Sequence, residues 1–161
     1  MENVVWFART GDRDLSAACR KLLERALGFS PRVEKREGGQ PFLPEHPELS
    51  ISFSHTGGAV AAALSESPVG VDLEGPRPVN LRLAERFFTA AELAYAVDEA
   101  RFLEVWTRKE ALLKREGRGI RVRLSGVETL GREDLSTRRV GEYILSFCGT
   151  PAAFTLHETA L

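Results

Sequence analysis

The stretch Leu49-Ser50-Ile51-Ser52-Phe53-Ser54-His55-Thr56-Gly57-Gly58, followed by Ala59 to Leu64 and by Val69-Gly70-Val71-Asp72-Leu73-Glu74, decides the fold. Leu49 to Phe53 alternates apolar and polar residues, the period of a strand with one buried face. Thr56-Gly57-Gly58 is a turn signal, and Ala59 to Leu64 is an apolar run of strand length. Ser65 to Pro68 joins it to a third run, Val69 to Leu73. Three strands at this spacing predict an antiparallel meander.

On the C-terminal side, Gly75 to Pro78 closes that unit. Leu81 to Phe88 reads as a short helix, and Thr89 caps the next one, with Glu92 completing a capping box. A long helix is expected from about Ala100 to Glu116, with Phe102, Leu103, Trp106, Leu112 and Leu113 on its apolar face and Gly117 and Gly119 ending it. Further strands are expected at Gly126 to Leu130, Tyr143 to Cys148 and Ala152 to His157. On the N-terminal side, Asn3 to Phe7 reads as a strand. Asp12 or Asp14 caps a helix running to about Leu27, with Leu15, Ala18, Leu22, Leu23 and Ala26 apolar and Gly28 at its end. Pro31 to Arg36 alternates as a strand, and Glu37 to Pro47 is a loop whose prolines deny it regular pairing. Strands and helices do not alternate strictly, so the predicted class is α+β, not a doubly wound sheet.

The 161 residues suffice for one domain or two small fused halves. Hydrophobic content of 43%, charged content of 28% and a net charge of −1 are ordinary for a soluble protein and give no reason to expect nucleic-acid or membrane binding. Met1 to Thr10 carries no secretory pattern, and no run approaches the ~18 apolar residues of a membrane span, so a cytoplasmic protein is expected. Cys19 and Cys148 lack metal-ligand spacing and read as buried free thiols.

Three segments carry chemistry. On a strand, Asp72 and Glu74 share a face while Val71 and Leu73 point to the core. Two carboxylates so placed are either a solvated strand face or a site for a hard divalent cation. In Trp106-Thr107-Arg108-Lys109-Glu110-Ala111-Leu112-Leu113-Lys114, Glu110 and Lys114 are helical i, i+4 neighbours. Alone they read as a surface ion pair, but Trp106 one turn earlier would partly bury them. His55 and Ser54, entering a glycine turn, can bind a phosphate or be merely structural. A Ser-His hydrolase is disfavoured, because no nucleophile elbow is present.

Taken in order, these segments resemble the Sfp-type 4′-phosphopantetheinyl transferase family. The resemblance runs from about Gly38 to Ile120. It is carried by Gly39-Gln40-Pro41-Phe42-Leu43-Pro44, Ser52-Phe53-Ser54-His55, Val69 to Glu74, Arg86-Phe87-Phe88-Thr89 with Glu92, and Trp106 to Lys114 with Gly117 and Gly119.

The resemblance implies two pseudo-symmetric lobes, here 1–70 and 71–161 of one transferase domain. The first is reduced, since only 37 residues precede Gly38. It implies transfer of phosphopantetheine from coenzyme A to a serine of an acyl or peptidyl carrier protein, releasing adenosine 3′,5′-bisphosphate. Asp72, Glu74 and Glu110 would bind Mg²⁺ (or Mn²⁺ in its place), with Glu74 acting directly or through water. Glu110 would take the serine proton, and Lys114 would hold the leaving phosphate. Ser54 and His55 would hold the 3′-phosphate, and Gln40, where a lysine is common, would lie near the nucleotide. Arg86 and Glu92 would support the site as an ion pair. Basic residues before the motif region have no clear counterpart, Arg13 being the substitute considered. The acceptor would be acidic, and Arg108, Arg115, Arg118, Arg121 and Arg123, clustered around the end of the long helix, read either as its docking edge or as a solvated arginine-rich face. A monomer or small homo-oligomer is expected. Two other readings use the same residues: a metal-dependent hydrolase of coenzyme A or a related pyrophosphate, and a non-catalytic module binding coenzyme A or a carrier protein.

Overall fold

The computed structural model describes residues 1–117 and 124–161. Nine strands and four α-helices are found among them, and the class is α+β. β1 (Val4–Arg9), β4 (Ser50–Thr56), β5 (Ala59–Ser65) and β9 (Thr155–Ala160) form a sheet in the order β4-β5-β1-β9. Its pairs are antiparallel except β1 with β9. β6 (Gly70–Glu74), β7 (Leu135–Val140) and β8 (Tyr143–Cys148) form a second, antiparallel sheet in the order β6-β8-β7.

Each sheet carries one long helix. Helix α1 (Leu15–Leu27) lies on the first and buries Ala18, Cys19, Leu22 and Leu23, which recur at the helical period. Asp14 rather than Asp12 caps it, accepting from the Ala17 N–H, and Gly28 ends it at φ 79°, where a side chain would be strained. Helix α4 (Glu99–Glu116) lies on the second sheet, burying Phe102, Leu103, Val105, Ala111, Leu112 and Leu113. Gly70 lets β6 and α4 approach: a Cβ there would sit 1.9 Å from the Ala111 carbonyl oxygen. Helices α2 (Leu81–Phe87) and α3 (Ala90–Tyr95) connect β6 to α4, and Thr89 and Glu92 form the expected capping box. Both cysteines are free and buried. Among the described residues no helix is long and apolar enough to cross a membrane.

Three sequence expectations are corrected. β6 does not continue a meander with β5, because β5 already has β4 on one edge and β1 on the other; β6 pairs with β8 instead. Pro41–Phe42 (β3) does pair, with Glu34–Lys35 (β2). Gly126 to Leu130 is no strand: a 3₁₀ turn over Leu124–Gly126 is followed by irregular chain, and the strand lies later, at β7. The last strand, β9, returns to the first sheet beside β1. Gly119 lies outside the described residues.

The two sheets meet where β4 runs beside β6 without backbone pairing. Ser50, Ser52 and Ser54, on one face of β4, accept the backbone N–H groups of Val69, Val71 and Leu73 at 3.3, 3.1 and 2.9 Å. Serine hydroxyls thus do for the edge of β6 what a neighbouring strand's carbonyls would otherwise do.

Candidate active site

β6 turns Val71 and Leu73 into the core and leaves Asp72 and Glu74 on the opposite face. Asp72 is 6% exposed. Its Oδ1 accepts from Lys114 Nζ at 3.0 Å and Ser54 Oγ at 3.2 Å, while Oδ2 is buried with no hydrogen-bond partner. Burial pushes the Asp72 carboxyl up, against the pull of Lys114 and Ser54. Glu74 is raised by burial and then by Asp72, with Arg77 and the Trp106 indole opposing. Glu110, on α4, is raised by burial, Asp72 and Glu74, with Lys114 and Arg77 opposing. The structure therefore brings all three acids within electrostatic reach of one another. Their mutual repulsion, the all-oxygen donor set and the orphaned Oδ2 fit a hard divalent cation. Among the described residues no three such side chains close into a metal cage.

Lys114 does not pair with its helical neighbour Glu110. Its ammonium crosses to Asp72 and also donates to the carbonyls of Phe53 on β4 and Val71 on β6, at 3.1 and 3.0 Å, so all three protons are used. The Trp106 ring packs on Phe87 at 6.0 Å between centroids, with the Arg77 guanidinium 5.7 Å from its centre.

Asp72, Glu110 and Lys114 line a cleft of about 620 Å³ together with Trp106, Phe87 and His55, among others, and Glu74 is not among its lining residues. His55 is exposed on its wall. Ser54 is 4% exposed and its hydroxyl is committed, accepting from Leu73 and donating to Asp72. In this structure its one proton therefore goes to Asp72. Gln40 also lines the cleft; its Nε2 donates to the Lys114 carbonyl at 3.4 Å, at the end of α4. The sequence reading missed Arg20 on α1 and Lys35 on β2, which line the cleft where Arg13 does not. No spacing flags either: each reads as an ordinary exposed charge.

Two other expectations are corrected. Glu92 pairs with Lys109 at 2.7 Å, both fully buried, while the Arg86 guanidinium lies over the Phe87 ring. Lys109 also donates to the carbonyls of Leu124 and Val127, and Glu92 accepts from the backbone N–H groups of Thr89 and Thr129. Nor do Arg108 and Arg115 form a free docking edge. Arg108 is buried against the Thr129 carbonyl and Thr137, and Arg115 bonds Asp134 and Thr150. Arg118, Arg121 and Arg123 lie outside the described residues.

The model of the 4′-phosphopantetheinyl transferase superfamily matches residues 68–160, the part that holds Asp72, Glu74, Glu110 and Lys114. Sfp, a 4′-phosphopantetheinyl transferase of Bacillus subtilis (strain 168), is 33% identical over 109 residues, covering 64% of this chain and 49% of Sfp. The 4′-phosphopantetheinyl transferase psf-1 of Bacillus pumilus is 36% identical over 116 residues, 68% of this chain and 50% of psf-1. Against these two the chain spans about half the relative's length. AcpT of Escherichia coli (strain K12), named a 4′-phosphopantetheinyl transferase, is 37% identical over 156 residues, 89% of this chain and 78% of AcpT. With the family model covering more than half of its residues, and Asp72 and Glu110 of that region lining one cleft, the chain belongs to the 4′-phosphopantetheinyl transferase superfamily.

Proposed function

We propose that the chain transfers the 4′-phosphopantetheine arm of coenzyme A to a serine of an acyl or peptidyl carrier protein, using Mg²⁺. The observation that carries this is the gathering of Asp72, Glu74 and Glu110, with Asp72 Oδ2 buried and unpartnered. Phosphoryl transfer needs positioning and charge neutralisation more than covalent help. Asp72, Glu74 and Glu110 would hold the ion, which when bound neutralises the pyrophosphate oxygens of coenzyme A. Glu110, its carboxyl raised by burial, is suited to accept the proton of the acceptor serine hydroxyl. Lys114 reaches the leaving phosphate by exchanging its Asp72 bond for a phosphate oxygen while the Phe53 and Val71 carbonyls keep it anchored. His55, Arg20 and Lys35 supply donors for the nucleotide's 3′-phosphate, and the Gly38–Pro41 wall with Gln40 lies on the adenine side. The parts 1–70 and 71–161 act as one domain, because the cleft takes residues from both.

The test is mass spectrometry of an apo carrier protein incubated with coenzyme A, Mg²⁺ and this protein. A gain of about 340 Da, the mass of one phosphopantetheine arm, is expected. Glu110→Ala should lower the rate by roughly 10²–10⁴ with an unchanged melting curve. Coenzyme A cleaved without any acceptor would instead make the protein a hydrolase. An unmodified carrier beside intact coenzyme A would make it a binding module.

A further inference from the structure

We propose that Arg77 is a positioning residue that holds the Glu74 carboxylate in the acidic cluster with the side-on fork of its guanidinium. The inference rests on the reading of that cluster as a cation site. Arg77 follows Glu74 by three residues, in the connection from β6 to α2. Its guanidinium lies 5.7 Å from the centre of the Trp106 ring and 6.0 Å from that of Phe102. The rings attract the charge, but they leave the N–H groups on the guanidinium edge to find oxygen acceptors. Two of those nitrogens, Nε and Nη2, are buried and have no hydrogen-bond partner. They are the pair on one edge of the plane, the geometry that takes both oxygens of a carboxylate. Buried donors of a charged group are costly to leave unpaired, so this edge calls for an acceptor.

The acceptor lies within the protein. The two nitrogens are closed to solvent, and Arg77 is not among the residues that line the cleft. Two carboxylates feel the Arg77 charge, Glu74 and Glu110. Glu110 lines the cleft, as Arg77 does not, and Glu74 is away from it too. Glu74 is also influenced by the Trp106 indole, the ring against which Arg77 packs. Rotation about the side-chain bonds of Glu74, which is only half-buried, brings its oxygens to the fork. The two acids of β6 then have a cation each. Lys114 holds Asp72 at 3.0 Å and Arg77 holds Glu74, so two repelling carboxylates stay on one face of a strand.

The experiment titrates Mn²⁺, followed by its electron paramagnetic resonance signal, into the protein with coenzyme A and no acceptor, and records thermal unfolding of the same variants without metal. Arg77→Lys keeps a cation over the rings but has no fork, and Arg77→Met keeps neither. Both should weaken Mn²⁺ binding about tenfold, the lower end of what a lost outer-shell partner costs. Arg77→Lys should melt within about 2 °C of the parent, while Arg77→Met melts lower. In a Glu74→Gln background, adding Arg77→Lys should change Mn²⁺ binding by less than about twofold, because its partner is already gone. Parental Mn²⁺ affinity in Arg77→Lys would overturn the proposal and leave Arg77 a packing residue on Trp106 and Phe102. An equal loss in both backgrounds would overturn it too, since Arg77 would then act on something other than Glu74. So would an Arg77→Lys protein that melts as low as Arg77→Met, because the loss of Mn²⁺ binding would then follow from general destabilisation. Failure of the unmutated protein to bind Mn²⁺ beside coenzyme A would overturn the cation reading itself, whatever the Arg77 variants did.

Discussion

Lys109 sits inside the motif Trp106 to Lys114 yet belongs to the scaffold, and replacing it by methionine should destabilise the protein and not act on its chemistry. Its ammonium is fully buried and gives its three protons to Glu92, the Leu124 carbonyl and the Val127 carbonyl at 2.7, 2.6 and 2.7 Å. Lys109→Met preserves most of the volume, so cavity formation adds little. The loss comes from leaving Glu92 buried without its counter-charge and two carbonyls without their donor. Breaking a buried pair from one side costs about 3–5 kcal/mol. For a chain of this size, roughly 2–4 °C of melting temperature accompany each kcal/mol, giving a fall of about 6–20 °C. Thermal unfolding followed by circular dichroism measures it. Glu92→Gln together with Lys109→Met should recover part of the loss, because the double variant buries no unpaired charge. A Lys109→Met protein that melts within about 2 °C of the parent and has lost transfer would refute this reasoning and return Lys109 to the chemistry.

Gly70→Ala places a Cβ 1.9 Å from the Ala111 carbonyl oxygen and 2.6 Å from the Arg115 nitrogen, both backbone. It should cost about 3 kcal/mol or more, read as a lowered urea midpoint. His55→Ala and Arg20→Ala should each raise the KM for coenzyme A about tenfold while leaving that for 3′-dephospho-coenzyme A unchanged, the size of one charge-assisted hydrogen bond. Asp134, held by Arg132 and then Arg115, has its carboxyl lowered below the usual range. Its stabilisation, below about 1 kcal/mol for a pair so open to solvent, is present above the ordinary carboxylate range and lost as pH falls through the lowered folded value. Asp134→Asn should therefore flatten the acid side of a melting-temperature profile between about pH 5 and pH 2.

What was legible in the sequence follows from which interactions are local. The Thr89–Glu92 capping box, the Asp14 and Gly28 caps and the shared face of Asp72 and Glu74 depend on residues a few positions apart, and all are present. β7 was missed because Leu135-Ser-Thr-Arg-Arg-Val140 is an edge strand with an open outer face, and its charges mask the alternation. Gly126 to Leu130 has the apolar and polar alternation of a strand, but its backbone groups find side-chain partners in place of a neighbouring strand. The Val127 carbonyl goes to Lys109 and the Thr129 N–H to Glu92. Ser54 could not be placed from sequence, since its hydroxyl serves residues 18 and 19 positions away on another sheet.

The seam between β4 and β6 explains why the cleft opens where it does. Had the two strands paired through their backbones, the sheets would have merged along the line where Asp72 borders the cleft. Instead the N–H groups of the β6 edge go to three serines. The Phe53 carbonyl on β4 and the Val71 carbonyl on β6 both go to the single ammonium of Lys114. That cation consequently holds the two sheets together at the point where the phosphate would arrive. Structural and chemical roles then have different signatures in its variants. Lys114→Met withdraws donors from two strands and from Asp72, so stability and transfer should fall together. Lys114→Arg keeps the charge but cannot place three donors on the same compact point, so it should regain stability sooner than rate. Glu110 tethers neither strand of this seam, and its loss should leave stability intact while transfer disappears.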